Sequence, residues 1–167
     1  YGLVGSEMCI RDRINTAKNE QTETWFKGLD RVYNNFVYDF LYPDPTSVLA
    51  FIENHDTDRF LGEGDNLPML KQASTLLLTT RRIPQLYYGT EIMMNGVKSK
   101  SDGYVRKDFP GGWSDDKANA LTAAGRTKLQ NECYNFYKTL LNWRKGNEVI
   151  AKGNMTQFMV QHGVYAY

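Results

Sequence analysis

Four consecutive polar side chains are the residues best placed to do chemistry: Glu53, Asn54, His55 and Asp56. They follow an apolar run from Val48 to Ile52, which is typical of a strand buried on both faces in a parallel sheet. Polar residues at the carboxyl end of such a strand lie where α/β barrels place their active sites. His55, one of only two histidines, stands directly beside the carboxylate of Asp56. The alternative reading is a capped strand end with a satisfied histidine.

The elements that must position this cluster alternate between helix and strand. Apolar residues at three- and four-residue steps predict helices, and short apolar runs predict strands. The predicted order is a helix at about 19–41, a strand at 48–53, a helix at about 67–82, a strand at 83–88 and a helix at about 123–145. Alternation of this kind builds a parallel sheet. Two strands cannot close a barrel, so the sequence predicts the back portion of a larger α/β protein.

Local signals mark the ends of these elements. Pro43 and Pro45 stop the first helix, and Asn66 is the N-cap candidate of the second, which we expect to end with two arginines. A long, polar, glycine-rich loop spans about 92–118, and the tail should turn as a hairpin at His162-Gly163. The apolar stripe of the first helix is expected in the core: Trp25, Phe26, Leu29, Val32, Tyr33, Phe36, Val37, Phe40 and Leu41.

Composition excludes several classes of partner. A net charge of +1 gives no electrostatic case for nucleic acid or an anionic membrane, and no apolar stretch approaches the roughly 20 residues of a membrane span. Cys9 and Cys133 lack metal or redox spacing, and Cys133 should pack on a helix face. No metal and no cofactor are expected in this fragment. Residues 1–13 resemble a translated sequencing adaptor, and we expect them to be non-native and poorly packed.

Three motifs carry a resemblance to a known family. Phe51-Ile-Glu-Asn-His-Asp56 resembles the seventh-strand signature Phe-x-x-Asn-His-Asp of the α-amylase family, glycoside hydrolase family 13. Ile83-Pro-Gln-Leu-Tyr-Tyr-Gly-Thr-Glu91 resembles the family's eighth-strand motif, and Arg106-Lys-Asp-Phe-Pro-Gly-Gly-Trp113 is similar to the following loop of neopullulanases and cyclomaltodextrinases. The motifs stand in the family's order and spacing, and the resemblance covers about residues 14–167.

The resemblance implies a fold and a reaction. Residues 14–147 would be the C-terminal part of a TIM (β/α)8 barrel, with its last two strands and their helices. Residues 148–167 would begin an all-β C-terminal sandwich domain. The parent would be a retaining α-glucan hydrolase acting on maltooligosaccharides, cyclodextrins or pullulan, with one carboxylate as nucleophile and another as acid/base. Both come from strands absent here, so we expect this fragment alone to be inactive.

The same resemblance implies roles for single residues. Asp56 matches the third catalytic carboxylate, which stabilises the transition state, while His55 and Asn54 would bind the same sugar. Arg106 and Asp108 would bind a distal glucose.

Trp113 would stack on a sugar face. For Arg106, Asp108 and Trp113, the alternative is a solvated loop with a buried tryptophan. Structural support is expected from Glu53, Arg59, Tyr87, Tyr88 and Glu91, and Glu53 departs from the aspartate that the family commonly has there.

Several alternatives stay open at this point. The parent could be a non-catalytic carbohydrate-binding or regulatory relative that keeps the barrel. The sequence does not decide between α-1,4 and α-1,6 bonds, between hydrolysis and transglycosylation, or whether the parent binds calcium. Oligomeric state is open as well. Relatives of this type occur in both the bacterial periplasm and the cytoplasm, so both compartments are expected possibilities.

Overall fold

The computed structural model describes residues 14, 16–17, 20 and 27–167. The expectation for residues 1–13, which include Cys9, lies outside the described residues. The described elements are α1 (Asp30–Val37), β1 (Leu49–Ala50), α2 (Leu67–Thr79), β2 (Ile83–Pro84), α3 (Asp102–Val105), α4 (Lys128–Lys145) and α5 (Glu148–Lys152), with 3₁₀ helices at Tyr38–Leu41, Pro45–Ser47 and Thr90–Ile92. No helix in these ranges is long and apolar enough to cross a membrane.

The chain divides into two compact units. Of the described residues, the first unit contains those up to Ile52, Leu76–Gln85 and Asn147–Tyr167, and the second contains Glu53–Thr75 and Leu86–Gly146. The polar cluster that follows the first strand therefore begins where the chain enters the second unit.

The two strands of the first unit pair in parallel. Leu49 lies opposite Ile83 and Ala50 opposite Pro84, with the Ile83 amide donating to the Val48 carbonyl at 3.0 Å. This confirms the predicted parallel pairing of two strands joined through a helix. Both are shorter than predicted, although the Gln85 amide, just beyond the second strand, also donates to the Ala50 carbonyl at 2.7 Å. The apolar run is nonetheless buried through Ile52.

Helix α1 is shorter than the predicted helix at about 19–41, of which positions 19 and 21–26 lie outside the described residues. Gly28 has a φ of 56°, a left-handed conformation that glycine adopts without a steric penalty, so the α-helix starts only at Asp30. After Val37 the chain tightens into a 3₁₀ helix of three residues per turn, and the stripe set by 3.6-residue spacing loses its register. Phe40 is therefore 76% exposed, and its prediction as core is wrong.

The rest of the predicted stripe has mixed outcomes. Val32 and Phe36 are buried, as predicted, whereas Val37 and Leu41 are exposed, so their prediction as core is also wrong. Tyr33 lies edge-on to the ring of Tyr165 at 6.2 Å between centroids. The side chains of Trp25 and Phe26 lie outside the described residues.

A buried carboxylate organises the segment after α2. The helix ends at Thr79, so the two arginines predicted at its end lie beyond it. Arg81 and Arg82 both pair with buried Asp39, at 2.7 Å and 2.5 Å. Charge-assisted bonds of this kind offset the cost of burying the Asp39 carboxylate.

Helix caps explain where α2 and α4 begin. The Asn66 side chain accepts from the Met69 amide at 3.1 Å, which confirms the predicted N-cap. Helix α4 starts at Lys128, later than the predicted 123, because Thr127 and Gln130 form a capping box there. In the turn before α4, a Cβ on Gly125 would lie 1.9 Å from the Asn119 carbonyl oxygen, which is too close for any residue with a side chain to fit without a shift of the backbone.

The tail contains the predicted hairpin turn. Gln161 and Val164 form an antiparallel bridge, and His162 and Gly163 have φ values of 51° and 73°. Two consecutive positive φ angles are the signature of a two-residue type I′ turn.

Candidate functional site

The turn that carries Asn54, His55 and Asp56 is built by hydrogen bonds from the segment itself. The Asn54 side-chain oxygen accepts from the Asp56 amide at 2.9 Å, and the Asn54 amide donates to the Thr57 hydroxyl at 3.0 Å. An Asx turn of this kind mimics a backbone turn. Part of the polar capacity of Asn54 is therefore used to shape the loop.

His55 and Asp56 project to solvent from this turn. Their side chains are 59% and 61% exposed, and His55 Nε2 lies 3.1 Å from Asp56 Oδ2. The second carboxylate oxygen, Oδ1, lies 3.1 Å from Arg106 Nη2. The structure thus brings together three of the predicted site residues, and the carboxylate is open to a ligand.

Two charged residues that the sequence interpretation missed complete this surface. Asp102 accepts from Arg106 Nη2 at 3.3 Å, four residues before it in the chain. Lys98 donates to the Asp56 carbonyl through its ammonium at 3.1 Å. The i, i+4 spacings of Lys98 with Asp102 and of Asp102 with Arg106 were visible signals in the sequence.

Glu53 is buried, unlike Asp56. Its carboxylate accepts from Arg59 Nη1 at 3.2 Å, from the Phe60 amide at 2.5 Å and from the Thr90 hydroxyl at 2.5 Å. Burial raises the pKa of Glu53 above its ordinary value, and these donors act in the opposite direction. These contacts suit Glu53 to structural support, and that role stays a prediction.

Arg59 joins three parts of the second unit. Its Nε donates to the Val105 carbonyl at 3.0 Å and its Nη1 donates to the Tyr88 carbonyl at 2.7 Å. The guanidinium carbon also lies 4.0 Å from the ring centroid of Tyr87 and 4.9 Å from that of Tyr88, within cation–π range. These contacts tie Arg59 to both tyrosines, and the structural roles expected of the three residues stay predictions.

Glu91 lies beside the buried face of α4. Desolvation raises the pKa of the Cys133 thiol to about 12, and the negative charge of Glu91 adds to the effect. A thiol with this pKa stays protonated near neutral pH and is a poor nucleophile. Cys133 is therefore a packing residue, in line with the sequence interpretation.

The loop that follows carries an exposed tryptophan on a fixed backbone. Asp116 accepts from the Gly111 amide at 2.7 Å and from the Trp113 amide at 3.0 Å. These two bonds lower the pKa of the Asp116 carboxyl. Gly111 has a φ of 100°, and a Cβ there would lie 2.3 Å from Asn119 Oδ1.

Trp113 is 64% exposed, so the alternative of a buried tryptophan is wrong. Asp108 is exposed as well. Within the described part of the chain, neither Asp108 nor Trp113 forms a hydrogen bond or ion pair with His55 or Asp56. Among these same residues, no group of three or more His, Cys, Asp or Glu side chains is arranged to hold a metal.

No family model matches the chain. It is 31% identical over 155 residues to a cyclomaltodextrin glucanotransferase of Thermoanaerobacterium thermosulfurigenes, a match that covers 93% of this chain and 19% of the relative. It is 32% identical over 140 residues to an alpha-amylase of Niallia circulans, covering 84% of this chain and 23% of the relative. The chain thus spans about a fifth of the length of these relatives.

Solved structures agree on the fold. The alpha-amylase of Geobacillus thermoleovorans matches with a TM-score of 0.67 and 22% identity, over 96% of this chain and 31% of its own. The alpha-amylase of H. orenii matches with a TM-score of 0.68 and 21% identity, over 97% of this chain and 34% of its own. The chain therefore has the fold of a part of these amylases.

Proposed function

The chain belongs to the α-amylase family, glycoside hydrolase family 13, and on that premise we propose that it is part of a longer retaining enzyme acting on α-glucans, in which Asp56 is one of the catalytic carboxylates. The observation that carries the proposal is the turn at the carboxyl end of β1. It presents the Asp56 carboxylate to solvent beside His55, while the acidic side chain three residues earlier, Glu53, is buried and fully engaged.

The role of Asp56 follows from the charge of the transition state. A sugar ring gains positive charge as the glucosidic bond breaks, and a preorganised carboxylate can stabilise that charge or hold the ring's hydroxyl groups. His55 lies close enough to Asp56 to hydrogen-bond the same sugar. The hydrogen bonds within the turn fix the backbone of both residues before a ligand arrives.

The nucleophile and the acid/base would come from other parts of the longer protein. In this proposal, residues 14–147 are the last part of its barrel, and residues 148–167 begin the following β domain. An assay of the 167-residue chain on maltoheptaose should then show no turnover above background. Robust hydrolysis by the isolated chain would contradict the proposal that the nucleophile and the acid/base come from other parts of the longer protein.

The substrate would be an α-1,4- or α-1,6-linked glucan: a maltooligosaccharide, a cyclodextrin or pullulan. The named relatives include both a glucanotransferase and an alpha-amylase, so both water and a sugar hydroxyl are acceptors to test. The exposed ring of Trp113 offers a flat apolar surface for a sugar face. Residence in the bacterial periplasm or cytoplasm belongs to the same proposal.

The decisive experiment is Asp56→Asn in the longer protein. The change keeps the shape of the side chain and removes its charge, so kcat on maltoheptaose should fall by several orders of magnitude while the melting temperature is kept. Lys138→Gln, an exposed change on α4, is the matched control and should leave kcat unchanged. A near-normal rate for Asp56→Asn would remove Asp56 from the mechanism.

A further inference from the structure

Arg106 makes a forked set of contacts with the turn that carries Asp56. Its Nε donates to the His55 carbonyl at 2.9 Å, and its Nη2 reaches Asp56 Oδ1 at 3.1 Å. The same Nη2 also reaches Asp102 Oδ2 at 3.3 Å. One planar guanidinium therefore contacts both the backbone and the side chain of the turn, which restricts the direction in which the Asp56 carboxylate can point.

The backbone next to Arg106 is fixed by buried residues. Val105 is fully buried, and its carbonyl accepts from Arg59 Nε at 3.0 Å. Arg59 in turn pairs with Glu53, and the two side chains are 0% and 2% exposed. Because Glu53 precedes Asp56 by three residues, a closed path of contacts runs from the base of the turn through Arg59 and Val105 to Arg106 and back.

We propose that Arg106 is a positioning residue that orients the Asp56 carboxylate, and that buried Arg59 fixes Arg106 through the Val105 carbonyl. This inference rests on the proposed catalytic role of Asp56. It differs from the role that the family resemblance implied for Arg106, which was binding of a distal glucose. The contacts favour orientation, since the guanidinium is already engaged with the turn.

The ion pair between Arg106 and Asp56 contributes little to folding stability. The Arg106 and Asp56 side chains are both well exposed, and an ion pair in such a setting adds little to the free energy of folding. The benefit would come when the reacting sugar binds, because a misplaced carboxylate loses much of its effect on the transition state. A displacement of about 1 Å in an active site can reduce the rate ~10²-fold.

A double-mutant cycle in the longer protein tests the proposal. The variants are Arg106→Gln, Asp56→Asn and their combination, assayed on maltotriose and maltoheptaose at high enzyme concentration. If Arg106 acts through Asp56, Arg106→Gln alone should reduce kcat ~10²-fold with a small change in KM. In the Asp56→Asn background it should cost less than about 2-fold, because the group that it orients has lost its charge.

Substrate length separates orientation from distal binding. The loss caused by Arg106→Gln should be equal on maltotriose and maltoheptaose, whereas a residue that binds a distal glucose would matter mainly for the longer substrate. Arg106→Lys keeps the charge and should recover part of kcat. Lys138→Gln is the control for activity, and melting temperatures check that each variant folds.

Three outcomes would overturn the proposal. They are full additivity of the two changes, a loss confined to KM on maltoheptaose, and no recovery by Arg106→Lys. Failure of the proposed function looks different: Asp56→Asn alone would then keep a near-normal rate. The two hypotheses are therefore refuted by different members of one set of variants.

Discussion

Breaking the buried pair of Glu53 and Arg59 should destabilise the protein strongly. Glu53→Gln removes the negative charge that Arg59 Nη1 contacts at 3.2 Å, and it leaves a guanidinium whose side chain has no exposed surface. Removing one partner of such a pair typically costs about 3–5 kcal/mol, because the remaining charge is buried and uncompensated. We expect the free energy of unfolding to fall by an amount in that range, measured by urea unfolding of the longer protein.

A matched control sets the scale of that measurement. Glu148 and Lys152 also form a pair at 3.0 Å, but their side chains are 80% and 71% exposed. Glu148→Gln is the same chemical change, and for an exposed i, i+4 pair it should cost only about 0.3–0.5 kcal/mol. The difference between the two variants then isolates the effect of burial.

The coupling between Glu53 and Arg59 can be measured directly. Arg59→Met removes the other charge, and the double variant Glu53→Gln/Arg59→Met leaves neither charge unpaired. The double variant should therefore cost less than the sum of the single variants, by roughly 0.5–3 kcal/mol. The reasoning is refuted if Glu53→Gln costs no more than Glu148→Gln, or if the two buried changes are additive.

Two further predictions follow from single titratable groups. The hydrogen bond from Arg31 and, to a smaller extent, that from the Gly28 amide lower the pKa of Glu20 from 4.5 to about 2. The ionised Glu20 therefore stabilises the folded protein above pH 4.5, and this contribution is lost as the pH falls towards 2. Glu20→Gln should flatten that part of an acid-unfolding curve. A curve with the same slope for both proteins would contradict the assignment. Burial raises the pKa of Cys133 to about 12, so in a Cys9→Ser background the native protein should resist alkylation by iodoacetamide at pH 8 and react fully in urea. Rapid alkylation of the folded protein would show that the thiol is accessible.

Local signals in the sequence were enough to place several elements of the fold. Asn66 caps α2, and the pair His162-Gly163 forms the hairpin turn, because each of these choices depends on a few neighbouring residues. The parallel pairing of β1 with β2 also followed from the order of elements. The positive φ of Gly28 and the switch to a 3₁₀ helix after Val37 have no comparably local signal, so the first helix was predicted too long.

The candidate site was predictable in its parts but not in its contacts. The motif around Asp56 and the arginine of the loop were both identified from the sequence. The bond between Asp56 and Arg106 joins residues 50 positions apart, and it depends on the burial of Val105 within the predicted loop. Tertiary packing decides such a contact, and periodicity and motif spacing do not report it.

The carboxylates of Glu53 and Asp56 are only three residues apart, yet the first is buried and the second is exposed. Glu53 is still part of the buried run, so it needs the donors of Arg59, Phe60 and Thr90 to be tolerated there. Asp56 lies beyond the Asx turn of Asn54, which carries the chain out to solvent and leaves the carboxylate accessible. An acid whose oxygens are all engaged in the interior cannot also bind a sugar. Of the two, Asp56 is the carboxylate that is accessible for the proposed reaction, while Glu53 is engaged with Arg59, Phe60 and Thr90.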